Sequence, residues 1–166
     1  MTMDRRAFML AAAGSAALTG CGFELRKEPE FQFHVVGLAG FRSDSPFAVE
    51  LRRQLSRTKL TLQADPNKAE VVVEALKETR DKLVVVSTSA GQVREWQLKL
   101  DVDYLLRTAQ GDLLLPRTEL RLTRELTYTE TQALGKEQEE AQLYRAMQSD
   151  AIALIMRRLA AVKLPS

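Results

Sequence analysis

Thirteen residues in the middle of the chain, Glu95 to Arg107, restrict its fold more than any other stretch. Trp96, Leu98, Leu100, Val102, Tyr104 and Leu106 alternate with Glu95, Gln97, Lys99, Asp101 and Asp103, and only Leu105 breaks the order. Successive side chains of a strand point to opposite faces. A period of two therefore predicts a long strand with one buried face and one face that is solvated or meets a partner. The buried face needs a cover, which the rest of the chain must supply.

The neighbouring segments extend the sheet. After a turn at Gln110-Gly111-Asp112 the alternation resumes, with Leu120, Leu122, Leu126 and Tyr128 against Glu119, Arg121, Thr123, Glu125 and Thr127, while Arg124 interrupts the apolar side. Upstream, the valine-rich runs Ala69 to Lys77 and Leu83 to Thr88 flank Thr79-Arg80-Asp81-Lys82, and Ser89-Ala90-Gly91-Gln92 marks the next turn. This reads as a meander of short strands with a turn at 79–82. Phe31 to Leu38 predicts a first strand, and Lys59 to Gln63 a short one before the turn-like Ala64-Asp65-Pro66-Asn67.

Two helices are available as the cover. Ser45 as N-cap and Pro46 at the first helical position start one, with Phe47, Leu51 and Leu55 in a stripe. A second runs from Glu137 to Val162, where Tyr144, Met147, Ala151, Leu154, Ile155, Leu159 and Val162 recur at three- and four-residue steps. The expected fold is α+β: a two-layer sandwich, its mixed, mostly antiparallel sheet of four to five strands carrying both helices on one face. The first strand, first helix and a later strand can form a parallel crossover, which is right-handed by rule.

The first 20 residues follow a different logic. Arg5 and Arg6 precede an apolar stretch from Ala7 to Leu18, and small residues follow up to Gly20, the layout of a secretory signal. The apolar run is shorter than the roughly 20 residues needed to span a bilayer core, so residues 1–20 are expected to be a removed export segment. Asp4-Arg5-Arg6-Ala7-Phe8-Met9 is similar to a twin-arginine signal but lacks its flanking Ser or Thr and trailing Lys, and an ordinary basic start fits equally. Leu18-Thr19-Gly20-Cys21 resembles the bacterial lipobox, whose cysteine is lipidated and becomes the new N-terminus. A nucleophile would need a base, and the only histidine, His34, falls on a predicted strand. A buried thiol is the other alternative. The lipobox context favours Cys21 as a lipid anchor, with acyl chains contributing about 0.8 kcal/mol per buried CH₂. Gly22 follows it instead of the Asp that resembles an inner-membrane retention signal, which points to the outer membrane.

Removing 20 of the 166 residues leaves 146, enough for one domain, 21–166, and lowers the formal charge from +2 to +1. That charge excludes a non-specific nucleic-acid binder. With one cysteine there is no disulfide framework, so stability must come from the core. The eight glycines form no phosphate loop, no nucleophile elbow is present, and a single histidine argues against metal ligation. Asp101 and Asp103 share a strand face and could suggest acid/base work, but an alternating polar face accounts for them. No catalytic residue, metal site or cofactor is expected.

Three segments together resemble one family over essentially the whole mature chain. Cys21 to Arg26, Cys-Gly-Phe-Glu-Leu-Arg, is similar to a C-G-[FW]-x-L-R opening. Gly91-Gln92 with Glu95-Trp96-Gln97 is similar to a G-Q-x-x-E-Y-Q segment, and Ala133-Leu134-Gly135-Lys136-Glu137 leads into the final helix. The family is LptE, the lipopolysaccharide-assembly lipoproteins. Trp96 stands where Tyr is common, Glu24 where His is common, and Ser89-Ala90 where some relatives carry a basic residue. The resemblance implies a non-enzymatic outer-membrane lipoprotein that plugs the LptD β-barrel, assists its assembly and contacts lipopolysaccharide. Pairing the last two strands about Gly111 sets Val93 and Arg94 opposite roughly Thr129, so Arg94 and the loop carrying Lys136 share one end of the sheet. Arg94 and Lys136 are thus the candidate cations for lipid A phosphates. Two rival classes remain: an outer-membrane lipoprotein serving as a transport accessory or scaffold without lipid binding, and a hydrolase with an unrecognised site.

Overall fold

The computed structural model describes residues 30–127 and 133–164. The export segment 1–20, Cys21, the hexapeptide it opens and Tyr128 lie outside the described residues. Five strands, β1 (Val35–Ala39), β2 (Thr61–Gln63), β3 (Val71–Ser87), β4 (Val93–Arg107) and β5 (Leu113–Thr127), form one sheet in the order β2-β1-β3-β4-β5. β1 pairs in parallel with both β2 and β3, while β3, β4 and β5 form an antiparallel meander. Two helices, α1 (Pro46–Leu55) and α2 (Ala133–Ala161), complete an α+β fold of the expected kind.

The expected alternation of β4 is observed. Leu98, Leu100, Val102, Tyr104 and Leu106 are fully buried, in one core with Met147, Ala151, Ile155 and Leu159 of α2 and Phe47, Leu51 and Leu55 of α1. Within α2 the buried stripe includes Ile152, while Tyr144 and Leu154 are only half-buried at its margin. The start of α1 is also as anticipated: the Ala48 amide donates to Ser45 Oγ at 3.1 Å, and Pro46 occupies the first turn, where its missing N–H has no partner to lose.

Several boundaries differ from expectation; β1, for one, begins at Val35 instead of Phe31. Thr79-Arg80-Asp81-Lys82 is not a turn, and β3 runs unbroken through it for 17 residues, about 55 Å. None of the four is a glycine or takes a positive φ, and the strand accommodates their charges by turning them alternately to the two faces. Arg80 and Lys82 lie opposite Leu100 and Leu98, on the side covered by α2, while Asp81 lies opposite Lys99 on the other. α2 in turn begins at Ala133 instead of Glu137, which moves Lys136 from a loop onto the helix. β5 starts seven residues before Leu120 and contains Pro116, tolerated because β5 is an edge strand and its pairing with β4 shifts register between Tyr104 and Leu106.

The long axis of the sheet has two distinct ends. β1 enters beside the start of β3, with Val36 opposite Val71, so the N-terminal segment leaves from this base. The other end, the tip, is made by the close of β3, the start of β4 and the end of β5. α2 descends from the tip toward the base, with Glu140 against Lys82 and Arg158 against Tyr104. The last residues of β3, from Leu83 to Val86, are left exposed.

Candidate functional site

Arg94 is the second residue of β4 and is exposed at the tip. Lys136 lies in the first turn of α2, one turn beyond Glu140 in the direction of the tip, with its Nζ 2.7 Å from Glu139 Oε2. The structure thus brings both candidate cations to one end of the sheet and engages Lys136 in a local ion pair. Among the described residues no contact joins the two.

Below them is an open groove of about 750 Å³, bounded by Pro46 at the start of α1, Arg80 and Lys82 of β3, and Glu137, Glu140, Tyr144, Arg145 and Gln148 of α2. The Arg80 guanidinium stands 5.4 Å from the centre of the Tyr144 ring, and the Lys82 ammonium 4.7 Å from that of Trp96. Lys82 Nζ also donates to Glu140 Oε2 at 2.5 Å. Gln148 is buried; oriented to accept, its amide oxygen receives the Phe47 N–H at 3.0 Å and Arg80 Nη2 at 2.8 Å, tying α1 to β3. Burial, with the nearby Glu140 carboxylate second, raises the Tyr144 hydroxyl above its ordinary range, so it remains a donor and bonds the Asp81 carbonyl at 2.9 Å. The groove is thus of mixed charge: Arg80, Lys82 and Arg145 can donate to an anionic group, while Glu137 and Glu140 stand on the same wall. Reading 79–82 as a turn hid Arg80 and Lys82, although the spacing Glu78, Arg80, Lys82 is itself a period of two.

The opposite face of the sheet is polar, as the alternation requires, yet Asp103 on it is fully buried. Arg121 Nη1 and Arg117 Nη2 each lie 2.5 Å from its carboxylate, and their stems shield it from water. The hydrogen bond from Arg121 is the largest influence and, with Arg117, holds the carboxyl below the ordinary range despite burial. A lowered native value means that the stabilisation is fully present above the unfolded value near 3.9 and is lost as pH falls through the native one. Urea unfolding of Asp103→Asn is therefore expected to show a lower midpoint than the wild type at pH 7, with the gap closing below about pH 4. An equal gap at pH 7 and pH 3 contradicts this.

His34, expected on the first strand, is exposed just before β1, its backbone N–H bonded to Glu70 Oε2 at 2.7 Å. Among the described residues no three His, Cys, Asp or Glu side chains group to hold a metal ion.

Comparison with known proteins gives these features a context. A family model described as lipopolysaccharide-assembly, LptE, matches residues 33–159. The solution structure of uncharacterized lipoprotein B from Nitrosomonas europaea is 31% identical, covers 84% of this chain and 91% of its own, and superposes with a TM-score of 0.71. A minor lipoprotein from Acinetobacter baumannii is 19% identical, with coverage of 82% and 99% and a TM-score of 0.65. Rare lipoprotein B from Shewanella oneidensis is 16% identical, with coverage of 77% and 95% and a TM-score of 0.65. At these identities the last two share the fold alone. No curated protein sequence matches significantly.

Proposed function

The chain belongs to the LptE family of lipopolysaccharide assembly, whose members are non-enzymatic lipoproteins, and from that premise we propose that it is held in the outer membrane by a lipidated Cys21 and plugs the LptD β-barrel. There it assists assembly of the barrel and contacts lipopolysaccharide as it passes to the outer leaflet. The family match over 33–159 carries this reading. The dimensions of the sheet support it: β3 alone measures about 55 Å, against about 40–45 Å for a bilayer with its headgroups. With the lipid anchor at the base, in the periplasmic leaflet, the tip extends to the level of the outer leaflet. Arg94 and Lys136 are then near lipid A phosphates, with Arg80 and Lys82 lining the groove beneath. A 3₁₀ turn, Pro66–Lys68, and β2 remain at the base, beside the anchor.

Mild-detergent extraction of the full chain tests this directly. An outer-membrane barrel identified as LptD is expected to co-purify, and its absence defeats the proposal. Loss of lipidation in Cys21→Ala is expected to release the protein from the membrane fraction when it is expressed without the barrel. The lipid contact is tested separately: Arg94→Glu with Lys136→Glu is expected to weaken binding of purified lipopolysaccharide about tenfold while the thermal unfolding midpoint stays unchanged. Unchanged binding removes these two residues from the lipid contact.

A further inference from the structure

β3 outruns its neighbour. β1 pairs with it only as far as Glu74, so from Ala75 to Ser87 no strand lies on the side away from β4 among the described residues. A bare edge exposes backbone donors and acceptors to pairing by another chain, and soluble proteins usually defend it with charge, proline or a cover. The middle of this edge has a cover: Ser45 Oγ bonds the Glu78 carboxylate at 2.7 Å, and the Tyr144 hydroxyl caps the Asp81 carbonyl. The part near the tip has none. Leu83, Val84, Val85 and Val86 are each between 43% and 52% exposed; Leu83 and Val84, opposite Gln97 and Trp96, bare apolar surface on the two faces in turn, and the register with β4 then shifts between Val84 and Val86. The Asp81 carbonyl turns to α2 and the register holds from Asp81 to Leu83. Leu83 therefore turns its own N–H and C=O to the same open side.

Neither the N-terminal segment of this chain nor a second copy suits the edge. After cleavage before Cys21, residues 21–29 reach about 30 Å. They leave beside Val71, while Leu83 lies twelve residues along β3, about 40 Å away. Self-pairing would bury on the order of 300 Å² of these four side chains per copy, against about 800 Å² per partner in a stable complex. The strip is instead sized to be one part of a larger interface.

We propose that the edge of β3 from Lys82 to Ser87, centred on Leu83, receives an extended, uncharged segment of the barrel partner by strand addition, with apolar side chains packing on both faces. This rests on the plug reading above. Since the wall strands of a closed barrel are already paired, the segment comes from a loop turned into the lumen or across its mouth.

The test uses the full chain co-expressed with the barrel. A photo-crosslinking residue at Leu83 is expected to capture one continuous barrel segment, identified by mass spectrometry. Leu83→Pro removes the outward N–H, which the β3–β4 pairing does not use, and proline is tolerated at such an edge position. It is expected to lower co-purified barrel about tenfold with an unchanged unfolding midpoint, while Leu83→Val behaves as wild type. If wild type retains the barrel and Leu83 captures nothing from it, or captures a second copy of this chain, the inference fails while the plug reading stands. If a folded Leu83→Pro also retains the barrel fully, it fails likewise. If wild type retains no barrel, the plug reading itself has failed.

Discussion

Gly40→Ala is expected to destabilise the domain by about 3 kcal/mol or more, a loss of roughly 10 °C in Tm for a chain of this size. Gly40 ends β1 at a φ of +73°, where an L side chain is strained by about 1–2 kcal/mol. A Cβ there would also stand 2.1 Å from the Ala75 carbonyl oxygen and 3.1 Å from its carbon. These are backbone atoms of the central strand, so no rotamer change relieves the clash. The chain must move away from β3 just beyond the Ala39–Glu74 pair and five residues before the N-cap of α1. Gly91→Ala separates the two contributions. Gly91 has a φ of +79° but nothing within 4 Å of its added Cβ, so strain alone acts and the loss is expected near 1 kcal/mol. Chemical unfolding of the two variants measures the difference, and equal losses would show that the approach to Ala75 does not matter.

That turn was not legible in the sequence, and the reason applies more widely. Alternation reveals a strand when one face meets an apolar core, so β4 was readable residue by residue. β3 has the same geometry, but its covered face bears Glu78, Arg80 and Lys82, whose partners Ser45, Gln148, Tyr144 and Glu140 come from remote helices. No local pattern announces such pairings, and charged residues between valine runs read as a turn. Asp103 was assigned to the polar face correctly, but its burial depends on Arg117 and Arg121 of the next strand folding over it.

Register shows a subtler dependence. Pairing about Gly111 predicts Glu95 opposite Thr127, and that pair is observed. Near the turn, however, Arg107 pairs with Leu113, two residues away from the same scheme. Register shifts between Tyr104 and Arg107 make up the difference, so bulges that the sequence does not signal restore the expected alignment at the tip. The common end of Arg94 and Lys136 was therefore readable, whereas the Glu139 partner of Lys136 required knowing that the helix starts at Ala133.

Tyr104→Ala is expected to cost about 3–5 kcal/mol, because its ring is fully buried at the centre of the sheet and truncation leaves a cavity under α2. The ring is only part of what it holds. Arg158 of α2 donates to the Tyr104 hydroxyl at 3.0 Å with its guanidinium carbon 5.9 Å from the ring centre, joining the last turns of the helix to β4. Tyr104→Phe keeps the packing and removes that acceptor, so about 1–2 kcal/mol is expected, comparable to a hydrogen bond to a charged group. A pH series isolates the hydroxyl. Burial raises it above the ordinary tyrosine range, with Arg158 opposing, so the folded state resists ionisation more than the unfolded one. Its contribution is complete below the unfolded value near 10 and is lost as pH rises through the higher native value. Wild type should thus lose stability through this group above about pH 10, and Tyr104→Phe should lack that component of the alkaline decline. If the Phe variant costs as much as Ala, the bond to Arg158 outweighs the ring in fastening α2 to the sheet. If Ala costs under about 1 kcal/mol, the core closes over the gap and packing at Tyr104 is not what holds the two layers together.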